Sequence, residues 1–105
     1  MRRGEIWWAE LGGKAGRRPV VLLSRDVAYP VRELVTVAPV TARVRNIPVE
    51  VPLGKSEGLS RECAINLDTI TTIPKRRLLK RISALPPDKV EAMNKTMSFA
   101  LGLPD

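Results

Sequence analysis

Gly16-Arg17-Arg18-Pro19 runs directly into Val20-Val21-Leu22-Leu23-Ser24, and at this junction the sequence offers its clearest chemistry. A guanidinium presents its donors in a rigid planar fork that matches phosphate, and a mount on regular structure fixes it better than a free loop does. Val20 to Leu23, β-branched and leucine residues between Pro19 and Ser24-Arg25-Asp26, reads as a strand buried on both faces. Arg18 then stands at the first residue of that strand, anchored by the core behind it. The competing reading leaves Arg17 and Arg18 as solvated charges flanking a strand, and this stretch alone does not choose between the two.

The residue types also exclude chemistries. There is no histidine and a single cysteine, Cys63, which lies in an apolar alternation. Ser-His and Cys-His nucleophile arrangements are therefore absent, and the usual zinc ligand sets cannot be assembled. Cys63 reads as a small core residue without an internal disulfide partner. Neither metal nor organic cofactor is expected.

Lys and Arg total 18 against 11 acidic residues, a formal charge of +7 with a sequence pI of about 10.3. Such a balance suits a polyanionic partner, nucleic acid first. Lys14 lies in the permissive loop Gly12-Gly13-Lys14-Ala15-Gly16. The alternation Ala42-Arg43-Val44-Arg45-Asn46 places both arginines on one side of an extended segment, either tracking phosphates or decorating a hairpin tip. Lys75-Arg76-Arg77 and Lys80-Arg81 bind phosphates or decorate a short turn and the last strand. No apolar run nears the roughly 18 residues of a transmembrane helix. The amino terminus turns straight into a strand pattern, so a cytoplasmic protein without a membrane partner is expected.

The elements that must position these residues are mostly strands. The 105 residues suit one domain, 1–105, large enough to bury roughly two-thirds of its unfolded surface. Glu5 to Leu11 forms a hairpin with the Val20 strand, and neighbouring Trp7 and Trp8 face opposite ways, one into the core and one into a groove or interface. Leu34 to Thr41 is the third strand, with Pro39 marking a break or edge and Thr41 at the exit. Ile47, Val49, Val51 and Leu53 share one face of a proline-containing edge strand. Glu62 to Asp68 and Ile70 to Ile73 continue the β character. Pro86-Pro87, Asp88 and Gly102 bound one helix, whose stripe Val90, Met93, Met97, Ala100 and Leu101 packs on the sheet or a second subunit.

Four segments in order then carry a resemblance: Arg3-Gly4-Glu5-Ile6-Trp7, Arg18-Pro19-Val20-Val21-Leu22-Leu23-Ser24, Pro39-Val40-Thr41 and Leu67-Asp68-Thr69-Ile70-Thr71-Thr72-Ile73. Over nearly its whole length the chain resembles the MazF/PemK toxins of bacterial toxin-antitoxin pairs. The resemblance implies a small, strongly curved, mainly antiparallel sheet of the SH3-like barrel kind (MazF/CcdB-like) with a C-terminal helix, assembled as a homodimer. It implies sequence-specific, metal-independent cleavage of single-stranded RNA, silenced by a cognate antitoxin whose disordered tail covers the RNA site. The strong positive charge calls for an acidic, hydrophobic-interleaved antitoxin segment. The family's functional pair, the Arg of its Arg-Pro strand start and the Thr closing its third strand, falls on Arg18 and Thr41. Lys14, Arg17, Arg43, Arg45, Arg76 and Arg77 are the RNA contacts expected around that pair.

Cleavage of RNA by its own 2′-hydroxyl needs alignment, removal of one proton and stabilisation of charge on a pentavalent phosphorus. A fixed Arg18 meets the last need, worth about 3 to 4 kcal/mol for preorganised donors of this kind, and Thr41 adds a neutral hydrogen bond. A guanidinium is a poor proton acceptor, and the short Gly12 to Arg17 loop lacks the acidic residue that many relatives carry there. Two readings compete. Gyrase-binding toxins share the fold but rely on a C-terminal tryptophan, whereas this chain ends Leu101-Gly102-Leu103-Pro104-Asp105; a plain basic module would bind RNA without cutting it.

Overall fold

Val20, Val21 and Leu22 are each wholly buried because the two faces of their strand lie against different cores. The computed structural model, which describes residues 1–104, builds these cores from strands β1 (Glu5–Glu10), β2 (Arg17–Leu22), β3 (Leu34–Thr41), β4 (Glu50–Leu53), β5 (Cys63–Asn66), β6 (Thr71–Pro74) and β7 (Leu78–Ala84), followed by helix α1 (Pro87–Ala100). Strand neighbours run β4-β5-β3-β2-β1-β7, with β6 beside β3, and every pairing is antiparallel. The expected barrel-like sheet is thus a small curved sheet that stays open.

β3 determines the shape of the sheet. One edge pairs with β2 over Val37 to Pro39; the other pairs with β6 over Leu34 to Val37 and with β5 at Val40 and Thr41. The strand therefore forks the sheet. Leu23 N donates to Thr36 O at 2.9 Å, and alternation along an antiparallel ladder turns the Pro39 nitrogen away from β2. It points to the gap between β6 and β5, where no ladder donor is needed. Pro39 accordingly sits inside the sheet, at the fork, and not at an edge.

The fork separates two apolar clusters. Ile6, Val21, Val40, Ile65, Leu67 and Met93 belong to the cluster covered by α1. Ala9, Val20, Leu22, Val35, Val37 and Tyr29 belong to the other. Each fully buried aliphatic side chain contributes about 1.5 to 3 kcal/mol relative to exposure. Tyr29 closes its cluster by donating from its hydroxyl to Ser24 O at 2.9 Å, while Ser24 Oγ accepts from Thr36 N at 2.8 Å. Those bonds tie the β2–β3 connection to β3.

Several element boundaries differ from the sequence expectation. β2 begins at Arg17, so Arg18 is its second residue, paired with Ala9 of β1. Gly12, Gly13 and Gly16 have φ of 76°, 54° and 58°, and these left-handed conformations let the β1–β2 loop close within six residues. β4 is shorter than the Ile47 to Leu53 pattern: Ile47 is exposed and Val49 half-buried. It is nonetheless an edge strand, hydrogen-bonded only to β5, and Lys89 Nζ of α1 donates to Pro52 O at 2.7 Å on its outer side. In α1, Pro87 and Asp88 occupy the first turn and Gly102 has φ of 67° beyond the end. Met93 is fully buried, with Val90, Met97 and Ala100 packed on the same cluster. Leu101 does not join that stripe: it caps the helix and is 57% exposed.

Candidate nucleic-acid interface

Arg18 and Thr41 are brought together by the β2–β3 ladder. Its last pair is Val20 with Pro39; two residues beyond it the strands have parted, and Arg18, paired with Ala9 of β1, and Thr41, paired with Ala64 of β5, flank the opening. Both line a cavity of about 580 Å³ and an adjoining one of about 490 Å³, and they are the only residues common to the two. Arg18 Nε donates to Ala15 O of the β1–β2 loop at 3.0 Å. That bond fixes the root of the guanidinium and leaves both terminal NH₂ groups as donors. No carboxylate among the described residues pairs with it. Thr41 Oγ1 accepts from Arg43 N at 3.1 Å, which leaves its hydroxyl proton to be donated.

The larger cavity lies at the end of the helix-covered core. Val40, Leu59 and Cys63 of that core form part of its wall, with Trp8, Pro19 and Ile82 beside them. Its cations are Arg17, Arg18, Arg43 and Arg61. Trp8 is 37% exposed, enough to present its ring, whereas Trp7 is half-buried against the opposite cluster with its indole N–H on Glu5 Oε1 at 3.0 Å. The expected division of the two tryptophans between core and groove is therefore observed. Cys63 is 6% exposed; burial, then the Glu57 charge, pushes its thiol pKa up against a smaller opposing effect of Arg61. A protonated, buried thiol serves packing and not nucleophilic attack.

The second cavity lies at the end of the other core. Leu11, Pro39 and Ile73 supply its apolar wall, and Arg45, Asn66, Thr69 and Thr71 its polar groups. Among the described residues, no carboxylate lines either cavity. Both therefore present positive potential with no fixed counter-charge in the wall.

Arg43 and Arg45 do not share one side, as an extended segment would require. Past Thr41 the chain bends: Arg45 N and Asn46 N both donate to Glu50 Oε1, at 2.9 and 3.0 Å, and Asn46 adopts φ of 56°. Arg43 consequently enters the larger cavity and Arg45 the smaller. Arg17 reaches the larger cavity, with Glu10 at 4.0 Å in an exposed contact of little energetic weight.

Lys14, Arg76 and Arg77 line neither cavity. Lys14 is exposed at the β1–β2 loop. The cations after Pro74 form a short turn, and two of them act within the fold: Lys75 Nζ donates to Tyr29 O at 2.6 Å and Arg77 Nη1 to Glu10 O at 3.2 Å. Arg61 was not among the sequence candidates because it follows a Gly- and Ser-rich connection with no pattern of its own. That connection is held against β7 by the Ser83 hydroxyl on Glu57 O, and Glu57 is buried with Oε1 accepting from Gly54 N at 2.7 Å. Asn66 directly precedes the motif Leu67 to Ile73, and Thr69 and Thr71 lie within it; its sequence signal is the family likeness and not its polar groups.

Fold and site together define a small, basic, mainly β protein with two arginine-lined cavities at the open end of a strand pair. The chain belongs to the PemK-like, MazF-like toxins of type II toxin-antitoxin systems, whose family model matches residues 2–101. It is 37% identical over 100 residues to the probable endoribonuclease MazF5 of Mycobacterium tuberculosis, covering 94% of this chain and 91% of that protein. The solved structure of the Mycobacterium tuberculosis toxin MazF-mt6 superposes with a TM-score of 0.90 at 33% identity, covering 96% of this chain and 99% of that one. A mycobacterial endoribonuclease in complex with its cognate antitoxin superposes with a TM-score of 0.88 at 28% identity, covering 100% and 98%.

Proposed function

We propose that this chain is the toxin of a toxin-antitoxin pair and an endoribonuclease that cuts single-stranded RNA through the substrate's own 2′-hydroxyl. The observation that carries this reading is the joint placement of Arg18 and Thr41 on the wall shared by two cavities that no described carboxylate lines. A phosphodiester lying across that wall receives the Arg18 guanidinium on its non-bridging oxygens and a hydrogen bond from Thr41. The 2′-oxygen attacks phosphorus, the bond to the 5′-oxygen breaks, and a 2′,3′-cyclic phosphate and a 5′-hydroxyl result. There is no histidine in the chain, and no carboxylate among the described residues of either wall, so in this proposal water takes the 2′ proton and water supplies the proton to the 5′-oxygen.

Metal independence is part of the proposal. No three Cys, Asp or Glu side chains converge among the described residues, which supports a mechanism that relies on guanidinium charge. No helix among them is long and apolar enough to cross a membrane, and the proposed location is the cytoplasm, where the RNA is. A homodimer and an antitoxin with an acidic segment complete the reading; the net charge of +7 supports the second. The matched relatives are named as endoribonucleases, so a gyrase-binding role is not favoured.

The test is digestion of a long RNA in excess chelator, followed by a substrate with one 2′-deoxy sugar at the mapped cut. Cleavage of the first and survival of the second are expected. Continued cleavage at the deoxy position would remove the 2′-hydroxyl mechanism.

A further inference from the structure

The two cavities that meet at Arg18 and Thr41 differ in chemistry. The larger offers an aromatic face, Trp8, together with Arg17, Arg43 and Arg61, and beyond Thr41 its described neutral hydrogen-bonding groups are the Ser60 hydroxyl and the Trp8 indole N–H, with saturated and thiol neighbours. The smaller has no aromatic residue and gathers Asn66, Thr69 and Thr71 around Arg45. Asn66 Oδ1 already accepts from Asp68 N at 2.9 Å, which leaves its NH₂ to donate. The exposed Thr69 and Thr71 hydroxyls make no hydrogen bond to another described side chain, unlike Thr72, whose hydroxyl meets that of Thr36 at 3.0 Å.

Stacking on an aromatic ring tolerates every base, because each has a π-face. Neutral donors and acceptors held on regular structure reject a base whose edge does not match, because mismatched polar groups are left unpaired. We infer that the smaller cavity reads the identity of a base on one side of the cleaved phosphate through Asn66, Thr69 and Thr71, while the larger holds the base on the other side by stacking on Trp8 with little discrimination. The recognised word is then strict on one flank of the cut and permissive on the other. This inference rests on the endoribonuclease reading and extends it to the source of specificity.

The experiment is end-sequencing of fragments from an RNA pool randomised around the cut, digested in chelator by the intact protein and by variants. Thr69→Val combined with Thr71→Val removes two hydroxyls at nearly constant shape. Asn66→Ser retains an oxygen for the Asp68 N–H but withdraws the amide donor. These variants are expected to flatten the preference at one position beside the cut by about tenfold or more, the scale of a lost base-edge contact, with other positions unchanged. Trp8→Leu is expected to lower cleavage at sub-saturating RNA by about tenfold on all sequences alike. In a Trp7→Phe background, quenching of Trp8 fluorescence by a 2′-deoxy oligonucleotide reads the stacking directly, without turnover.

An unchanged word in both the Thr69/Thr71 and the Asn66 variants, with normal melting curves, would overturn the inference and leave the enzyme assignment standing. A changed base preference in Trp8→Leu, or no quenching of Trp8, would do the same. Absence of cleavage by the unmodified protein would remove the enzyme reading itself, and this inference with it.

Discussion

Arg18 and Thr41 each lie two residues past Val20 and Pro39, the last pair of the β2–β3 ladder, and both line the two cavities at its open end. Each is still held by its other neighbour, Arg18 by Ala9 of β1 and Thr41 by Ala64 of β5. The two strands separate there without fraying. A cationic fork and a hydroxyl are thus fixed by two strand pairings, β1 with β2 and β3 with β5, before any ligand arrives.

Arg18→Ala is expected to reduce cleavage by roughly 100-fold or more, the scale of a lost preorganised donor, with RNA binding only modestly weakened. Thr41→Val removes one neutral hydrogen bond and should cost about tenfold. Single-turnover rates against binding of an uncleavable 2′-deoxy RNA separate the effects. Normal cutting by Arg18→Ala would overturn the assignment.

Salt dependence tests which cations meet phosphates. Arg43→Ala, Arg45→Ala and Arg61→Ala should each reduce the slope of log K against log salt by about 0.7, the single-strand value per neutralised phosphate. Lys14→Ala and Arg76→Ala, at positions outside both cavities, should leave the slope unchanged. Binding titrations from low to moderate salt decide between this pattern and a diffuse basic surface.

The Tyr29 hydroxyl links stability to alkaline pH. Burial, reinforced by the charge of Asp26, pushes its pKa from 10 up to about 12. The folded chain therefore holds this proton more tightly than the unfolded one. Its contribution is complete below about pH 10 and is lost as pH rises toward 12, at most about 2 to 3 kcal/mol. Urea unfolding should show the stability advantage of the natural chain over Tyr29→Phe shrinking between about pH 8 and pH 11.5. A constant difference would show that the phenol does not titrate with unfolding.

Met93 is the helix residue wholly enclosed by the sheet. Met93→Ala should destabilise by about 2 to 5 kcal/mol, whereas Leu101→Ala, at the exposed cap, should stay within about 0.5 kcal/mol. Denaturant midpoints of the two variants check the contrast.

Where periodicity reports burial, the sequence was legible. β3 matches the expected Leu34 to Thr41 residue for residue, and the unbroken apolar run of β2 does lie between two cores. The meeting of Arg18 and Thr41 at the same cavities was reachable through the family's motifs. What could not be read depends on contacts distant in sequence. β2 extends back to Arg17 only because Glu10 and Ala9 pair with Arg17 and Arg18. Arg61 reaches the site because Ser83 and the buried Glu57 hold its loop in place. The Lys75-Arg76-Arg77 run looked like one basic patch, yet Lys75 and Arg77 bond to main-chain carbonyls that no local pattern could reveal.

The bond from Lys89 to Pro52 O has a colloidal consequence. On an antiparallel edge, the N–H and C=O of one residue point the same way, and at Pro52 that direction is outward. Proline supplies no donor there, and the acceptor is already engaged by a charged side chain. A stray extended segment from another molecule therefore finds no vacant hydrogen-bonding group at the middle of β4. The exposed rim of the sheet is a poor template for strand addition, so a chain this rich in β structure resists aggregation at that edge.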